Sequence, residues 1–432
     1  MRYKPSQFNV LIRDYPEKGS HLVYNTLSRA IVQLSDEGLE ALMEPSRGDR
    51  RLVEGLVRLG MAVPEEVDEG KRFEKLFEEW RRSRRFLTLV VLTTLRCPMA
   101  CVYCFERDVQ DGSFMSDEVA DELLGWVEGK LEGVEALSVL FYGGEPLLNV
   151  RAIKRIGEGL SRICGERGVR FGFGIVTGGT LLSERLVGEL KGIGLRWVQV
   201  TLDGDKEAHD RRRPYKDGRG TFDEIMDNLS RIAGKVGIRI SCNVDRSNLE
   251  GAYRLVDLLS SLGYAGRGVR MSFGRLCSDL EGGLVSPNLS QGERDRLVIY
   301  AAERGFIRDL RPPHKICAML RRGTHLVVNT NGEMYSCPLF IGRGEEFIVG
   351  GLGGEHAGGA HEKLEGFELP EECLRCGYAP ICGGGCRYDA LVGTGDIAGL
   401  VCERGRFDVS VPTLIKAHYR LGLSGQGGRR GG

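Results

Sequence analysis

Three cysteines in the stretch RCPMACVYCF, residues 96–105, have the residue type and spacing of metal or cluster ligands. They are Cys97, Cys101 and Cys104, in the pattern C-x₃-C-x₂-C. A structural zinc ion takes four ligands in a tetrahedral arrangement, and no fourth ligand lies near these three in the sequence. Iron–sulfur clusters are also held by cysteine thiolates, usually four. The pattern therefore predicts either a cluster with one open iron or a zinc site with a distant fourth ligand.

Most of the remaining cysteines lie in the last quarter of the chain. Four of them follow the pattern C-x₂-C-x₅-C-x₃-C, and an earlier pair flanks Gly332 in the pattern C-x₁₄-G-x₄-C. Because the N-terminus has no apolar segment typical of a secretory signal, we expect a cytoplasmic protein with ligand thiols instead of disulfides. Isolated Cys164 and Cys242 are interpreted as core thiols. The second block comprises Cys317, Cys337, Cys373, Cys376, Cys382, Cys386 and Cys402.

Composition limits the classes of partner. Lys plus Arg and Asp plus Glu each number 60 in 432 residues, so the net charge predicts neither a nucleic-acid nor a membrane partner. No apolar run reaches the roughly 18 residues that cross a bilayer, so no membrane span is expected. The length indicates two or three domains.

The middle of the chain alternates predicted strands and helices from residue 86 onward. One helix is predicted to begin at a capping box formed by Thr221 and Glu224. Six β/α repeats predict an α/β protein built on a partial (β/α)₆ TIM barrel, with its chemistry at the C-terminal ends of the strands. The six apolar runs that predict buried parallel strands are LTLVVLTT, LSVLFYG, FGFGIVT, WVQVTLDG, IRISCNV and VRMSFG.

The barrel, at residues 86–310, is predicted to lie between two smaller parts. Residues 1–85 show short strands and then helices, which predicts an N-terminal α+β module. It ends in the charged helix KRFEKLFEEWRRSRR, interpreted as a solvated connector. Residues 311–405 form a cysteine-rich domain whose segment HLVVNTNGEMYSC predicts a hairpin with Asn331-Gly332 in a type I′ turn. Residues 406–432 are predicted to form a C-terminal helix and a disordered tail.

The C-x₃-C-x₂-C loop, with Tyr103 before its last cysteine and Phe105 after it, resembles the cluster loop of the radical S-adenosylmethionine (radical SAM) superfamily. The resemblance implies that Cys97, Cys101 and Cys104 hold a [4Fe–4S] cluster whose open iron binds the amino and carboxylate groups of S-adenosylmethionine. It implies that an electron from the reduced cluster cleaves S-adenosylmethionine and yields a 5′-deoxyadenosyl radical.

Further motifs extend this resemblance over residues 88–405. FYGGEPLL resembles the superfamily's GGE motif, and VTGGTLLSE resembles T-N-G-T-L-L with Gly178 in place of the asparagine. VTLDGDKEAHDRRRPYKDGRGTFDEIMDNL resembles a block of radical enzymes that modify peptides and proteins. The resemblance implies that Glu145 meets the S-adenosylmethionine amino group and Arg213 its carboxylate. The implied binding residues are Tyr103, Gly143, Gly144, Glu145, Thr201 and Arg213.

The second cysteine block resembles the SPASM domain, which carries two auxiliary [4Fe–4S] clusters; two zinc sites are the alternative. No motif residue supplies a fourth ligand to the proximal cluster. Its fourth iron is therefore either open or held by Cys277, in the loop after the sixth strand. The implied ligands are Cys373, Cys376, Cys382 and Cys402 for the distal cluster, and Cys317, Cys337 and Cys386 for the proximal cluster.

The resemblance implies a radical SAM oxidoreductase acting on a precursor peptide or protein, with flavodoxin or ferredoxin as electron donor. An open proximal iron would bind a substrate thiolate, so the leading interpretation is a maturase that forms a cross-link such as a thioether. The alternatives are a carbon–carbon cross-linking maturase, a SPASM dehydrogenase and a non-catalytic zinc scaffold. Pro338 stands where sulfatase-maturing relatives place a catalytic aspartate, so a sulfatase-type oxidation is not expected.

Residues 1–85 resemble elements that bind precursor peptides by strand addition. A domain that caps the barrel is an equal alternative.

Overall fold

The structure is a computed structural model that describes residues 2–277, 286–354 and 358–423. Its N-terminal part is an α+β module, in which the three predicted strands pair antiparallel as β2-β3-β4. A short antiparallel pair, β1 with β5, closes the module. The strands are β1 Tyr3–Pro5, β2 Asn9–Ile12, β3 Ser20–Asn25, β4 Ile31–Ser35 and β5 Ala62–Pro64, and the helices are α1 Asp36–Met43, α2 Arg50–Arg58 and α3 Glu69–Arg82.

Helix α3 is buried along one face, so its interpretation as a solvated connector was wrong. Phe73 and Phe77 are 0% and 2% exposed and pack in a cluster with apolar residues of the C-terminal part. With Arg81 they recur at every fourth position, which places all three on one side of a helix. The charged residues of α3 lie on its other faces. Through its buried face, the helix attaches the N-terminal module to the rest of the protein.

Arg81 is the polar centre of that contact. It is 1% exposed, and it donates hydrogen bonds to the carbonyl oxygens of Leu320, Leu364 and Phe367 at 3.3, 3.0 and 2.7 Å. Its guanidinium also pairs with Glu78. A buried cation is stable only when its donors are satisfied in this way.

Replacing Arg81 with alanine is expected to destabilise the protein, because several buried carbonyl groups lose their donor. A loss of about 2–4 kcal/mol in the free energy of unfolding follows from about 1–3 kcal/mol for each unsatisfied group. Urea unfolding would measure it. Arg82→Ala is the matched control, since Arg82 pairs with the same Glu78 but is 65% exposed; its expected change is within about 0.5 kcal/mol. Equal effects of the two substitutions would contradict the prediction.

The six predicted barrel strands form a continuous parallel sheet, which confirms the α/β fold class. They pair in chain order, and helices between them bury a large apolar cluster against one face. The strands are β6 Phe86–Thr94, β7 Ala136–Gly143, β8 Arg170–Thr177, β9 Leu195–Thr201, β10 Gly237–Asn243 and β11 Arg270–Gly274. The helices are α4 Asp117–Glu128, α5 Val150–Arg167, α6 Glu184–Gly192, α7 Lys206–Arg212, α8 Phe222–Ile232, α9 Leu249–Ser261 and α10 Gln291–Glu303.

The predicted hairpin of the cysteine-rich part extends the barrel sheet. Its strands are β12 His325–Val328 and β13 Glu333–Tyr335, followed by β14 Ile348–Gly351. β12 pairs in parallel with β6, so the main sheet has nine strands within the described ranges. The turn is not type I′, because that type needs a positive φ at both central residues and only Gly332, at 87°, has one.

The rest of the cysteine-rich part is helical, and the chain ends in a long helix. The helices are α11 Gly359–Glu365, α12 Glu371–Leu374, α13 Ala379–Cys382, α14 Arg387–Thr394 and α15 Arg404–Arg420. The predicted disordered tail lies outside the described residues from position 424 onward. Among the described residues, no helix is both long enough and apolar enough to cross a membrane.

Candidate active site

The turn after β7 holds the start of the first cysteine loop. Gly144 N donates to Thr94 O at 3.0 Å, and Glu145 N donates to Arg96 O at 2.9 Å. A Cβ atom at Gly143 would lie 2.4 Å from Thr94 O, and one at Gly144 would lie 2.4 Å from Arg96 O. Both positions therefore require glycine because the turn lies directly against the backbone of the cysteine loop.

The other side of the cysteine loop is held by the segment after α7. Ala100 N donates to Pro214 O at 2.8 Å, and Val102 N donates to Arg212 O at 3.0 Å. The loop therefore bridges two βα connections of the barrel. Its conformation is set by backbone hydrogen bonds, and the Cys104 Sγ atom accepts a hydrogen bond from Gln110 Nε2 at 3.7 Å.

The three thiols of Cys97, Cys101 and Cys104 line one cavity at the C-terminal ends of the strands. The cavity encloses about 1130 Å³ of space, part of it open to solvent. Burial raises the pKa of Cys97 to about 12 and that of Cys104 to about 11. Five of the six residues implied to bind S-adenosylmethionine line the same cavity: Tyr103, Gly143, Gly144, Thr201 and Arg213.

The sixth, Glu145, does not line the cavity in this structure. Its carboxylate is 1% exposed and accepts hydrogen bonds from Thr177 Oγ1 at 2.8 Å, Gly178 N at 2.7 Å and Leu147 N at 3.0 Å. Burial raises its pKa, against the effect of these donors. Glu145 therefore joins the ends of β7 and β8, and it positions the turn that carries the two glycines.

The glycine that replaces the motif asparagine has a structural partner. A Cβ atom at Gly178 would lie 2.6 Å from Met99 Sδ and 3.2 Å from Glu145 Oε2. Met99 comes from the cysteine loop and is 3% exposed. Its side chain therefore fills space that a side chain at position 178 would need.

A buried polar network forms the floor of the cavity around Tyr103. The Tyr103 hydroxyl donates a short hydrogen bond to Asp203, and it accepts from Arg213 Nη1 at 2.8 Å and from Asn243 Nδ2 at 3.1 Å. Arg213 is 9% exposed, and its Nε has no hydrogen-bond partner. A buried guanidinium with an unused donor beside a cavity suits a carboxylate ligand.

The predicted capping box at Thr221 and Glu224 is absent. The Thr221 hydroxyl donates to Arg213 O at 2.8 Å and contacts His209 Nε2 at 3.0 Å, and Glu224 accepts from Tyr215. Burial lowers the pKa of His209 to about 3, so this imidazole is neutral near pH 7. Thr221 and His209 therefore support the backbone of Arg213 instead of starting the helix.

The cysteines of the C-terminal part come together in two groups, which we name the distal and proximal groups. In the proximal group the Cys317 thiol lies beside Cys386 and lowers the pKa of Cys386, and Cys386 adds to the effect of burial that raises the pKa of Cys337. In the distal group, burial and the nearby thiols raise the pKa values of Cys373 and Cys382, so these thiols lie close together; the group comprises Cys373, Cys376, Cys382 and Cys402.

The donor sets fit clusters better than single ions. Among the residues that the structure describes, no three Cys, His, Asp or Glu side chains converge as one metal ion requires. A cubane instead distributes its thiolate ligands over separate iron atoms. Three thiols on one cavity wall, beside the unused donor of Arg213, suit a cluster with an amino-acid ligand next to it.

Several polar residues of the cavity were not predicted. Asn243, at the end of β10, could have been found from the rule that polar residues follow the C-terminal ends of barrel strands. Glu106 lines the cavity, is 5% exposed, and its Oε1 has no partner. Burial raises its pKa to about 7. Nothing in its sequence context marks it, because its burial depends on how the cysteine loop folds.

Comparison with known proteins finds a family model that matches part of the chain. The sequence profile of the radical SAM superfamily matches residues 91–246. Fe-coproporphyrin III synthase of Methanosarcina barkeri is 32% identical over 193 residues, which are 41% of this chain and 44% of that protein. PqqA peptide cyclase of Ruegeria pomeroyi is 26% identical over 360 residues, which are 77% of this chain and 91% of that protein.

Solved structures show the same fold. Native anSMEcpe with bound AdoMet and Kp18Cys peptide matches with a TM-score of 0.63 and 19% identity, over 78% of this chain and 99% of that chain. The matched profile contains the cysteine loop, the turn after β7 and Arg213. Residues 91–246 therefore match the radical SAM superfamily, and the fold is similar to that of anSMEcpe with bound AdoMet. The cavity and the two C-terminal groups of cysteines fit the cofactors that this resemblance implies: S-adenosylmethionine, the [4Fe–4S] cluster that binds it and two auxiliary [4Fe–4S] clusters.

Proposed function

We propose that this protein is a maturase that cross-links a precursor peptide or protein after hydrogen abstraction from an unactivated carbon. One observation carries the proposal. The cavity extends from the first cysteine loop to Leu339 and Cys277, which adjoin the proximal group. A substrate in this cavity would lie between a radical-generating site and a second redox site. The peptide-modifying names among the relatives support a peptide or protein substrate.

The proposed ligands follow the three groups of thiols. Cys97, Cys101 and Cys104 would hold the cluster that binds S-adenosylmethionine, and the proximal and distal groups would hold the auxiliary clusters. Arg213 would bind the carboxylate of S-adenosylmethionine, because this buried cation lines the cavity and its Nε has no hydrogen-bond partner. Glu145 would contribute to S-adenosylmethionine binding indirectly, by fixing the position of the turn that carries Gly143 and Gly144.

The reaction balances as an oxidation by two electrons. When bound and reduced, the cluster at the cysteine loop supplies the electron that cleaves S-adenosylmethionine into methionine and a 5′-deoxyadenosyl radical. A substrate carbon gives up one hydrogen atom, which ends in 5′-deoxyadenosine. In the thioether form, a substrate sulfur would bond to that carbon and the thiol proton would leave, and the cysteines of the proximal and distal groups would hold the auxiliary clusters able to take up the remaining electron. A cytoplasmic flavodoxin or ferredoxin would supply the first electron.

A thioether is the product that we expect first. Holding a thiol beside the carbon radical makes bond formation effectively intramolecular. The expected peptide loses two hydrogen atoms, and one of its cysteines no longer reacts with an alkylating agent. Tandem mass spectrometry of peptide encoded beside the gene, matured in cells and then alkylated, would measure both. A product that loses two hydrogens while every thiol remains alkylatable would contradict the thioether.

Carbon–carbon cross-linking is the second candidate, together with side-chain dehydrogenation. The position of Cys277 favours these two products over a thioether, because a fourth protein thiolate near the proximal group leaves less room for a substrate sulfur on iron. Both products lose two hydrogens and keep all thiols intact. Tandem mass spectrometry separates them, because only the cross-link prevents fragmentation between the joined residues.

The N-terminal module is proposed to cap the distal group. Thr26 Oγ1 donates to Gly377 O at 2.6 Å, and Gln7 Nε2 donates to Leu374 O at 2.9 Å. Apolar side chains of β2 and β3 pack in one cluster with Cys376 and Cys382. Apolar residues that cover a cluster limit its contact with solvent, and solvent contact affects the reduction potential of the cluster.

A further inference from the structure

The residue directly before Cys277 is held by the side chain of Asn288. Leu276 N donates to Asn288 Oδ1 at 3.2 Å, and Asn288 Nδ2 donates to Leu276 O at 3.2 Å. One amide side chain therefore fixes both backbone groups of the residue before the cysteine. The position of the Cys277 backbone is consequently set by residues on both sides of it in the fold.

A salt bridge ties the same loop to the C-terminal part. Arg275 pairs with Asp389 in the first turn of α14, the helix that begins directly after Cys386. The barrel residue two positions before Cys277 thus contacts the helix residue three positions after Cys386. This contact brings the loop after β11 against the proximal group.

The sulfur of Cys277 also interacts with the proximal thiols. After the larger effect of burial, the nearby Cys386 thiol helps to raise the pKa of Cys277, and Cys277 and Cys386 help to raise the pKa of Cys337, so the three thiols lie near one another. Cys277 is exposed to solvent, yet it lines the cavity that contains Cys104.

We propose that Cys277 is the fourth protein ligand of the proximal auxiliary cluster. Cubanes usually take four thiolates, and Cys317, Cys337 and Cys386 supply three. Cys277 adjoins this group through the Arg275–Asp389 pair and is the thiol that would complete it. The inference rests on the auxiliary-cluster assignment within the proposed function, and it does not depend on which cross-link forms.

This ligand set changes the role of the proximal cluster. With four protein thiolates it accepts an electron and offers no iron to a substrate sulfur. A thioether, if formed, would then arise from a free substrate thiol that attacks the carbon radical. The loop after β11 would connect the barrel and the C-terminal part through iron, in addition to the Arg275–Asp389 salt bridge.

The experiment uses the full chain with the cluster at the first cysteine loop removed, so that only the auxiliary clusters contribute iron and spectra. The parent is the Cys97→Ala, Cys101→Ala, Cys104→Ala variant, which should retain roughly eight iron atoms in two cubanes. Cys277→Ala and Cys277→Ser are added separately. Cys164→Ala, at a buried thiol remote from the clusters, is the matched control. Iron, sulfide, circular dichroism and the electron paramagnetic resonance (EPR) spectrum of the reduced clusters are measured for each.

In Cys277→Ala we expect the loss of roughly one or more iron atoms per chain, with circular dichroism unchanged. Cys277→Ser should keep the iron and shift the EPR signal of one cluster only. The parent and Cys164→Ala should show no spectral change on addition of 2-mercaptoethanol. Unchanged iron and spectra in both Cys277 variants would overturn the proposal, and so would a parent spectrum that responds to the added thiol. If the parent itself holds no clusters, the auxiliary-cluster assignment fails instead.

Discussion

Replacing Cys97, Cys101 and Cys104 together with alanine is expected to remove about one third of the iron and to abolish reductive cleavage of S-adenosylmethionine. Three cubanes of four irons each predict roughly twelve iron atoms per chain, four of them at this loop. The three thiols line the cavity beside Arg213, so no other described group of cysteines lies where S-adenosylmethionine is proposed to bind. Iron analysis and chromatography of 5′-deoxyadenosine after reduction with dithionite measure the two effects.

The matched control for the triple variant is Cys164→Ala, which removes a buried thiol from α5. It should retain all the iron and form 5′-deoxyadenosine at the normal rate. Formation of 5′-deoxyadenosine by the triple variant would show that the radical is generated elsewhere in the protein.

Arg213→Ala is expected to weaken S-adenosylmethionine binding by a factor of about 10–150 without loss of iron. The substitution removes a charge-assisted contact to the ligand carboxylate, worth typically about 1.5–3 kcal/mol. It also removes the donor at 2.8 Å from the Tyr103 hydroxyl. Equilibrium binding of S-adenosylmethionine to the reconstituted, unreduced protein gives the dissociation constant, and iron analysis shows that the cluster remains.

Arg211→Ala is the control, because Arg211 lies in the same helix end but is 57% exposed and is 3.7 Å from its nearest acidic partner. Its binding constant should not change. Glu145→Gln should also weaken binding, since an amide nitrogen cannot accept the bond from Gly178 N or Thr177 Oγ1 that fixes the turn. Unchanged affinity in both Arg213→Ala and Glu145→Gln would refute the assigned S-adenosylmethionine site.

The barrel could be predicted from the sequence because each strand is a local apolar run, although β7 and β10 alternate buried with half-buried or exposed residues and are not buried on both faces. The position of β12 could not, since its pairing with β6 joins segments that are distant in the chain. Helix α3 was misread for a related reason. Its charged residues dominate the composition, whereas Phe73, Phe77 and Arg81 are buried only because the C-terminal part lies against them.

In the candidate site, too, features marked by a local motif could be predicted, whereas features that depend on packing between distant segments could not. Tyr103, Thr201 and Arg213 were named through the resemblance of their motifs to those of the radical SAM superfamily, and the structure places all three on one cavity. The partners of Glu145 and the place of Met99 depend on how two loops pack, which no motif describes. Cys277 belongs to no spacing pattern, and its proximity to Cys386 depends on the pairing of Arg275 with Asp389 across the fold.

The parallel pairing of β12 with β6 has a consequence for how the chain can be made. Val90 and Val91 of β6 lie opposite Val327 and Val328 of β12, so one side of the strand before the cysteine loop stays without a partner until most of the chain has been synthesised. Such an uncovered strand edge is a template for pairing with other chains, and long-range pairing forms slowly. A truncated barrel without the C-terminal part would carry that edge permanently, and aggregation would follow from the edge even with every residue of the S-adenosylmethionine site present.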